Sequence, residues 1–156
     1  MAVRVTIAPV NLNNSALTPG LWPVAGTAGY DTGSPGGTFT AWSTTNGIQF
    51  VNNGLIVLAF ANGASASVAE ILVGRKAGGG LLPAFAAQSV TIAATTAGWI
   101  GPFSPLDYTQ TDGSQYSGSL GGIISGPPSG VGMTCIDFTV TTTLSVRLLQ
   151  LIPAIP

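Results

Sequence analysis

Cys135-Ile136-Asp137-Phe138-Thr139-Val140 and, after a short gap, Leu144-Ser145-Val146-Arg147-Leu148 place an apolar side chain at every second position. A period of two is that of a β-strand with one face in a core and the other turned outward. The same alternation occurs at Val3-Arg4-Val5-Thr6-Ile7 and at Val90-Thr91-Ile92. Leu55-Ile56-Val57-Leu58-Ala59-Phe60 is apolar without alternation, which predicts a strand covered on both faces. Asn46-Gly47, Asn53-Gly54, Asn62-Gly63 and Asp112-Gly113 separate these runs, and such pairs favour the positive φ of tight turns. No stretch sustains a capped helical stripe. Strands are expected near 3–8, 48–52, 55–61, 67–73, 88–94, 97–101, 114–118, 133–140 and 143–151. Many short strands at this spacing predict an all-β chain, an antiparallel β-sandwich or a jelly-roll-like barrel.

The N-terminal part departs from that pattern. Residues 1–44 are read as a strand followed by an extended Gly/Pro-rich arm, with Pro9, Pro19, Pro23 and Pro35 among Trp22, Tyr30 and Trp42. A structureless loop this long is unusual inside a compact domain. The aromatics are therefore expected to anchor it, either on neighbouring subunits or as a flap over the chain's own core. Residues 45–156 are read as the sandwich domain, with an exposed Gly/Pro-rich loop near 117–132.

Charge is scarce. The 156 residues hold four Lys or Arg, five Asp or Glu and no His, for a net charge of −1. Four scattered cations make no nucleic-acid footprint. Without imidazole there is no Ser-His-Asp or Cys-His pair and no His ligand for a transition metal. Cys135 has no intrachain partner and reads as a small buried side chain. The longest apolar run, Leu55 to Ala61, is far below the roughly 20 residues needed to span a bilayer, so a soluble protein without a signal peptide is expected. Mean hydropathy is +0.50. Low charge with high hydropathy is a poor coat for a free monomer, and it predicts a surface largely covered by other subunits. A Ser/Thr-coated domain that tolerates low charge is the alternative.

Motifs for chemistry are weak. Gly74-Arg75-Lys76-Ala77-Gly78-Gly79-Gly80 lacks the Ser or Thr after Lys that a phosphate-binding loop requires. It reads as a hairpin loop in which Arg75 and Lys76 can meet an acidic neighbour. Asp107 to Gly113 has the glycine one position late for a calcium loop and no following Glu. There is no G-x-S-x-G elbow. No catalytic residue, metal ligand or cofactor site is expected.

In order along the chain come Phe50-Val51-Asn52-Asn53-Gly54, Leu55-Ile56-Val57-Leu58, Val90-Thr91-Ile92-Ala93 and Ile100-Gly101-Pro102-Phe103. Tyr108-Thr109-Gln110-Thr111-Asp112-Gly113, Ile136-Asp137-Phe138 and Val146-Arg147-Leu148 complete the series. This order, over Ile48 to Ile152, resembles the minor capsid or head decoration (cement) proteins of tailed bacteriophages. Gly101, Pro102, Phe103, Asp112 and Gly113 are its turn residues. The resemblance implies a virion protein made in the host cytoplasm. It would form a homotrimer on the outside of the head and hold major capsid subunits together, with no active site or cofactor. Trp22, Tyr30, Trp42, Arg75 and Lys76 are the candidate interface. The alternative is a tail, collar or spike module that binds a carbohydrate or receptor by stacking on Trp22, Trp42, Trp99 and the tyrosines. Nucleic acid and membrane are not expected partners.

Overall fold

The computed structural model describes residues 4–12, 22–24, 28–33, 39–43, 45–71, 88–109 and 133–151. In chain order the strands are β1 (Arg4–Thr6), β2 (Val10–Leu12), β3 (Gly29–Tyr30), β4 (Gly47–Val51), β5 (Ile56–Asn62), β6 (Ser67–Ile71), β7 (Gln88–Ile92) and β8 (Ala97–Ile100). A single helical turn, α1 (Pro105–Tyr108), precedes β9 (Met133–Phe138) and β10 (Leu144–Leu151). One sheet runs β1-β4-β9-β6-β7 and the other β2-β10-β5-β8, with β3 also on β10. The sheets face each other as an open sandwich; the closed barrel is not formed.

The central pairings are antiparallel, but β1 on β4, β2 on β10 and β3 on β10 are parallel. The all-β sandwich is as expected, with these parallel edge pairings added to its antiparallel centre. Alternation assigns a side chain to a face; it carries no information on the direction of the neighbouring strand. The single N-terminal strand expected at 3–8 is also replaced. The chain leaves the first sheet after Thr6, buries Ile7, and joins the second sheet at Val10 beyond Pro9. Proline has no N–H for a ladder, so the run breaks there.

The core follows the alternation. Leu144, Val146 and Leu148 of β10, Ile136 and Phe138 of β9, and Ile48 and Phe50 of β4 meet between the sheets. Each such side chain contributes roughly 1.5–3 kcal/mol by leaving water. The unalternating β5 is covered on both sides. Ile56 and Leu58 enter this core, while Val57 and Ala59 join Val10 and Leu149 in a second cluster on the outer face of the second sheet.

The four turn pairs have different fates. Asn53-Gly54 makes the expected turn, with Gly54 at φ 85° and the Asn52 and Asn53 side chains accepting from the N–H groups of Gly54 and Leu55. Gly47 lies inside β4 and Asn62 ends β5, neither pair forming a positive-φ turn. Asp112-Gly113 and the strand expected at 114–118 lie outside the described residues, as does the 117–132 loop. Asn62 is fully buried and binds loops together. Its amide donates to the carbonyls of Ser65 (2.8 Å), Ala93 (3.1 Å) and Ile92 (3.3 Å), and its oxygen accepts from Thr143 (3.1 Å). Asn62→Ala removes all four of these hydrogen bonds from a fully buried side chain, and should lower stability in urea unfolding by about 2 kcal/mol or more. Asn53→Ala, at an exposed turn, should cost less than about 1 kcal/mol.

Candidate functional site

Among the described residues, most ionic groups are drawn inward on the outer faces of the two sheets. On the second sheet, alternation turns Arg147 away from the core, in register with Ala59 of β5 and, beyond it, Trp99 of β8. Its guanidinium is nonetheless buried, because Val24, Asp31 and Phe39 lie over this face. The Arg147 Nε–H donates to Asp31 Oδ2 at 2.6 Å, and the Phe39 ring lies 5.0 Å from Cζ. The other Asp31 oxygen accepts from Gly33 N–H at 2.9 Å, and the Ser145 hydroxyl donates to the Val24 carbonyl.

On the first sheet, Arg4 of β1 reaches over β4 to Asp137 of β9. Its Nε and Nη2 donate to the two carboxylate oxygens at 2.7 and 2.6 Å, a fork-to-fork pair. Gly47 lies between them in register, and a Cβ there would collide with the Asp137 carboxylate and the Arg4 stem. That passage is the physical reason for glycine after Asn46. Glu70 of β6 is opposite Asp137 in the same row and is buried. Cys135 shares this face. Burial pushes its thiol up from 9.0 to about 11, with the Arg4 charge pulling it down and the Asp137 charge pushing it up.

Six charged residues fall among the described ones, and five of them, Arg4, Asp31, Glu70, Asp137 and Arg147, have buried side chains. Asp107 is half-buried. Arg75, Lys76 and Asp112 lie outside the described residues. No group of three metal-ligating side chains occurs among the described residues, and no described helix is long and apolar enough to cross a membrane.

The expected interface aromatics divide. Tyr30 and Trp42 pack on the chain's own core. Trp42 donates its indole N–H to the Leu144 carbonyl at 2.6 Å, and its ring lies 5.0 Å from Tyr30 and 5.8 Å from Phe138 at inclined angles. Both therefore pack within the molecule. The described parts of residues 1–44 supply two edge strands to one sheet, one to the other, and partners for Arg147 and Asp137. Trp22 is 43% exposed and Trp99 57% exposed. Val24, Val51, Leu106 and Leu151 are further exposed apolar side chains. The Gly101-Pro102-Phe103 turn has a structural role. A cis peptide bond and Gly101 at φ 116° lead the chain off β8, and Phe103 enters the core between Phe50 and Tyr108. Sequence patterning missed both ion pairs, whose partners lie 116 and 133 residues apart.

No family model, curated protein or solved structure matches this chain.

The buried pairs have a measurable signature. Asp31→Ala should cost about 3–5 kcal/mol by leaving Arg147 buried and uncompensated, whereas Asp31→Leu combined with Arg147→Met should recover most of it. A double-mutant cycle in urea checks this, and strictly additive losses would contradict it. Cys135 should resist a water-soluble thiol reagent at pH 8 until the chain is unfolded. Because the unfolded thiol ionises first, the Cys135 contribution to stability is intact below about pH 9 and declines as pH rises toward 11. Cys135→Ala removes that component of the pH profile, read from unfolding midpoints.

Proposed function

We propose that this chain is a virion structural protein that binds the outside of a tailed-phage head and stabilises contacts between major capsid subunits. Its action is binding alone, with no catalytic step, cofactor, nucleic-acid or membrane partner. The observation that carries this reading is the internal placement of charge. With five of six described ionic side chains buried, the described part of the exterior is mostly uncharged, and such a surface loses little when other subunits cover it. The ordered motifs from Phe50 to Leu148 supply the identity of the partner, by their resemblance to head decoration proteins. The same resemblance implies self-association, as a trimer.

The mechanism is thermodynamic linkage. A protein that binds the assembled shell and has no affinity for separated subunits adds its binding free energy to the cost of opening the shell. Exposed Trp22, Val24 and Trp99 are the side chains best placed to be buried at such contacts. The carbohydrate-binding alternative needs coplanar exposed rings. Trp42 and Tyr30 are instead inclined at 56° and held against the core.

The purified chain mixed with undecorated heads of its parent phage should co-sediment saturably and raise the temperature at which the heads release DNA. Absence of co-sedimentation together with saturable glycan binding would reverse the reading in favour of the receptor-binding module.

A further inference from the structure

We propose that the edge of β8, which no described strand covers, is a self-pairing surface, and that two copies of this chain join there as antiparallel strands about a two-fold axis at Gly98. The inference deepens the self-association in the proposed function and rests on that part of it; attachment to a capsid is not required.

The phase of the β5–β8 ladder decides which backbone groups are available. The Asn62 N–H donates to the Thr96 carbonyl at 2.8 Å, so Asn62–Thr96 is a bonded pair of the antiparallel ladder. Bonded and non-bonded pairs alternate. Phe60–Gly98 and Leu58–Ile100 are therefore bonded, and Ala97 and Trp99 turn their N–H and C=O groups away from β5. Strand β8 ends its sheet, and among the described residues no strand pairs with its far side.

Natural edges are guarded by charges, prolines or bulges. The edge Ala97-Gly98-Trp99-Ile100 has no charged residue and no proline. By contrast, β1 carries Arg4 and β7 presents Gln88, Ser89 and Thr91.

The register is self-complementary. With Gly98 opposite Gly98 of the second copy, Ala97 of each chain faces Trp99 of the other, and both facing pairs are of the bonded kind. Trp99, on the outer face with Ala59, then lies against the small Ala97 side chain of the other copy. Sliding by two residues puts Thr95 or Gly101 into the ladder. Their φ values of 58° and 116° are incompatible with extended pairing. The Gly98-centred phase keeps every paired residue in extended backbone. Two uncharged edges also meet without like-charge repulsion, which favours a second copy as the occupant.

This pairing alone makes a dimer, and it joins trimers two by two if the chain also forms the trimer implied by the resemblance. In both cases its loss halves the mass. Sedimentation equilibrium of the full chain should show that pairing. Ala97→Pro, which removes an outward N–H, and Trp99→Lys should each weaken it about tenfold or more while circular dichroism stays unchanged. Leu106→Lys, at another exposed apolar site, should leave the mass as it was. In a second measurement, Ala97→Cys and Trp99→Cys proteins mixed with a short thiol cross-linker should give mixed covalent dimers. A monomeric wild-type chain would overturn both this inference and the self-association it rests on. An oligomer unaffected by both edge variants and lacking the mixed cross-link would overturn the β8 edge alone.

Discussion

A guanidinium on the outer face of a β-sheet ordinarily lies in water. Arg147 does not, because Val24, Asp31 and Phe39 lie over the face that carries it. Leu144, Val146 and Leu148 point into the core, and Leu149 packs with Val57, Ala59 and Val10 on the other side. Burial of that cation requires an anion, and Asp31 provides it at 2.6 Å. The position of the N-terminal region follows. β3 runs alongside Ser145 and Val146, Thr32 bonds back to Ala8, and the Tyr30 and Trp42 rings close the end of the core at Phe138. A buried ion pair adds little net stability over an apolar pair of the same volume, but it penalises every arrangement that separates the partners. Here it holds Asp31 and its described neighbours against the second sheet.

The same economy shapes the outside. Arg4 and Asp137 repeat the arrangement on the other sheet, with Gly47 leaving the passage between them. Ionic groups used in this way are withdrawn from long-range steering and from mutual repulsion between copies. The proposed recognition would rest on shape, on exposed apolar side chains such as Trp22 and Trp99, and on strand edges that no described strand covers. These interactions are short in range and weakly screened by salt, which suits contacts that form once and persist.

Much of the sandwich was legible in side-chain alternation. β9 and β10 appear in the sequence as they do in space, and the unalternating β5 has cover on both faces because its odd and even positions both need it. Strand direction was not legible, since a parallel and an antiparallel neighbour impose the same pattern of faces. Asn-Gly pairs were ambiguous for a related reason. The dipeptide permits a positive φ without requiring it, and at Asn46-Gly47 and Asn62-Gly63 the residues serve an ion pair and a hydrogen-bond cluster instead. Tyr30 and Trp42 were recognisable as anchors, but an aromatic in a loop does not state which surface it anchors to. The link between Arg147 and Asp31 lay beyond any local signal, because it depends on how the N-terminal chain returns across a sheet built from the other end of the sequence.

The central claim is that the described ionic groups serve the interior, and that the proposed contacts between subunits form without them. Sedimentation velocity of the full chain across roughly 0.02–1 M salt tests it most directly, since exposed ionic contacts are screened over that range. The account predicts an oligomer whose sedimentation coefficient is the same at both ends of the range. A chain that is monomeric throughout, or an oligomer that dissociates as salt is added, would contradict it.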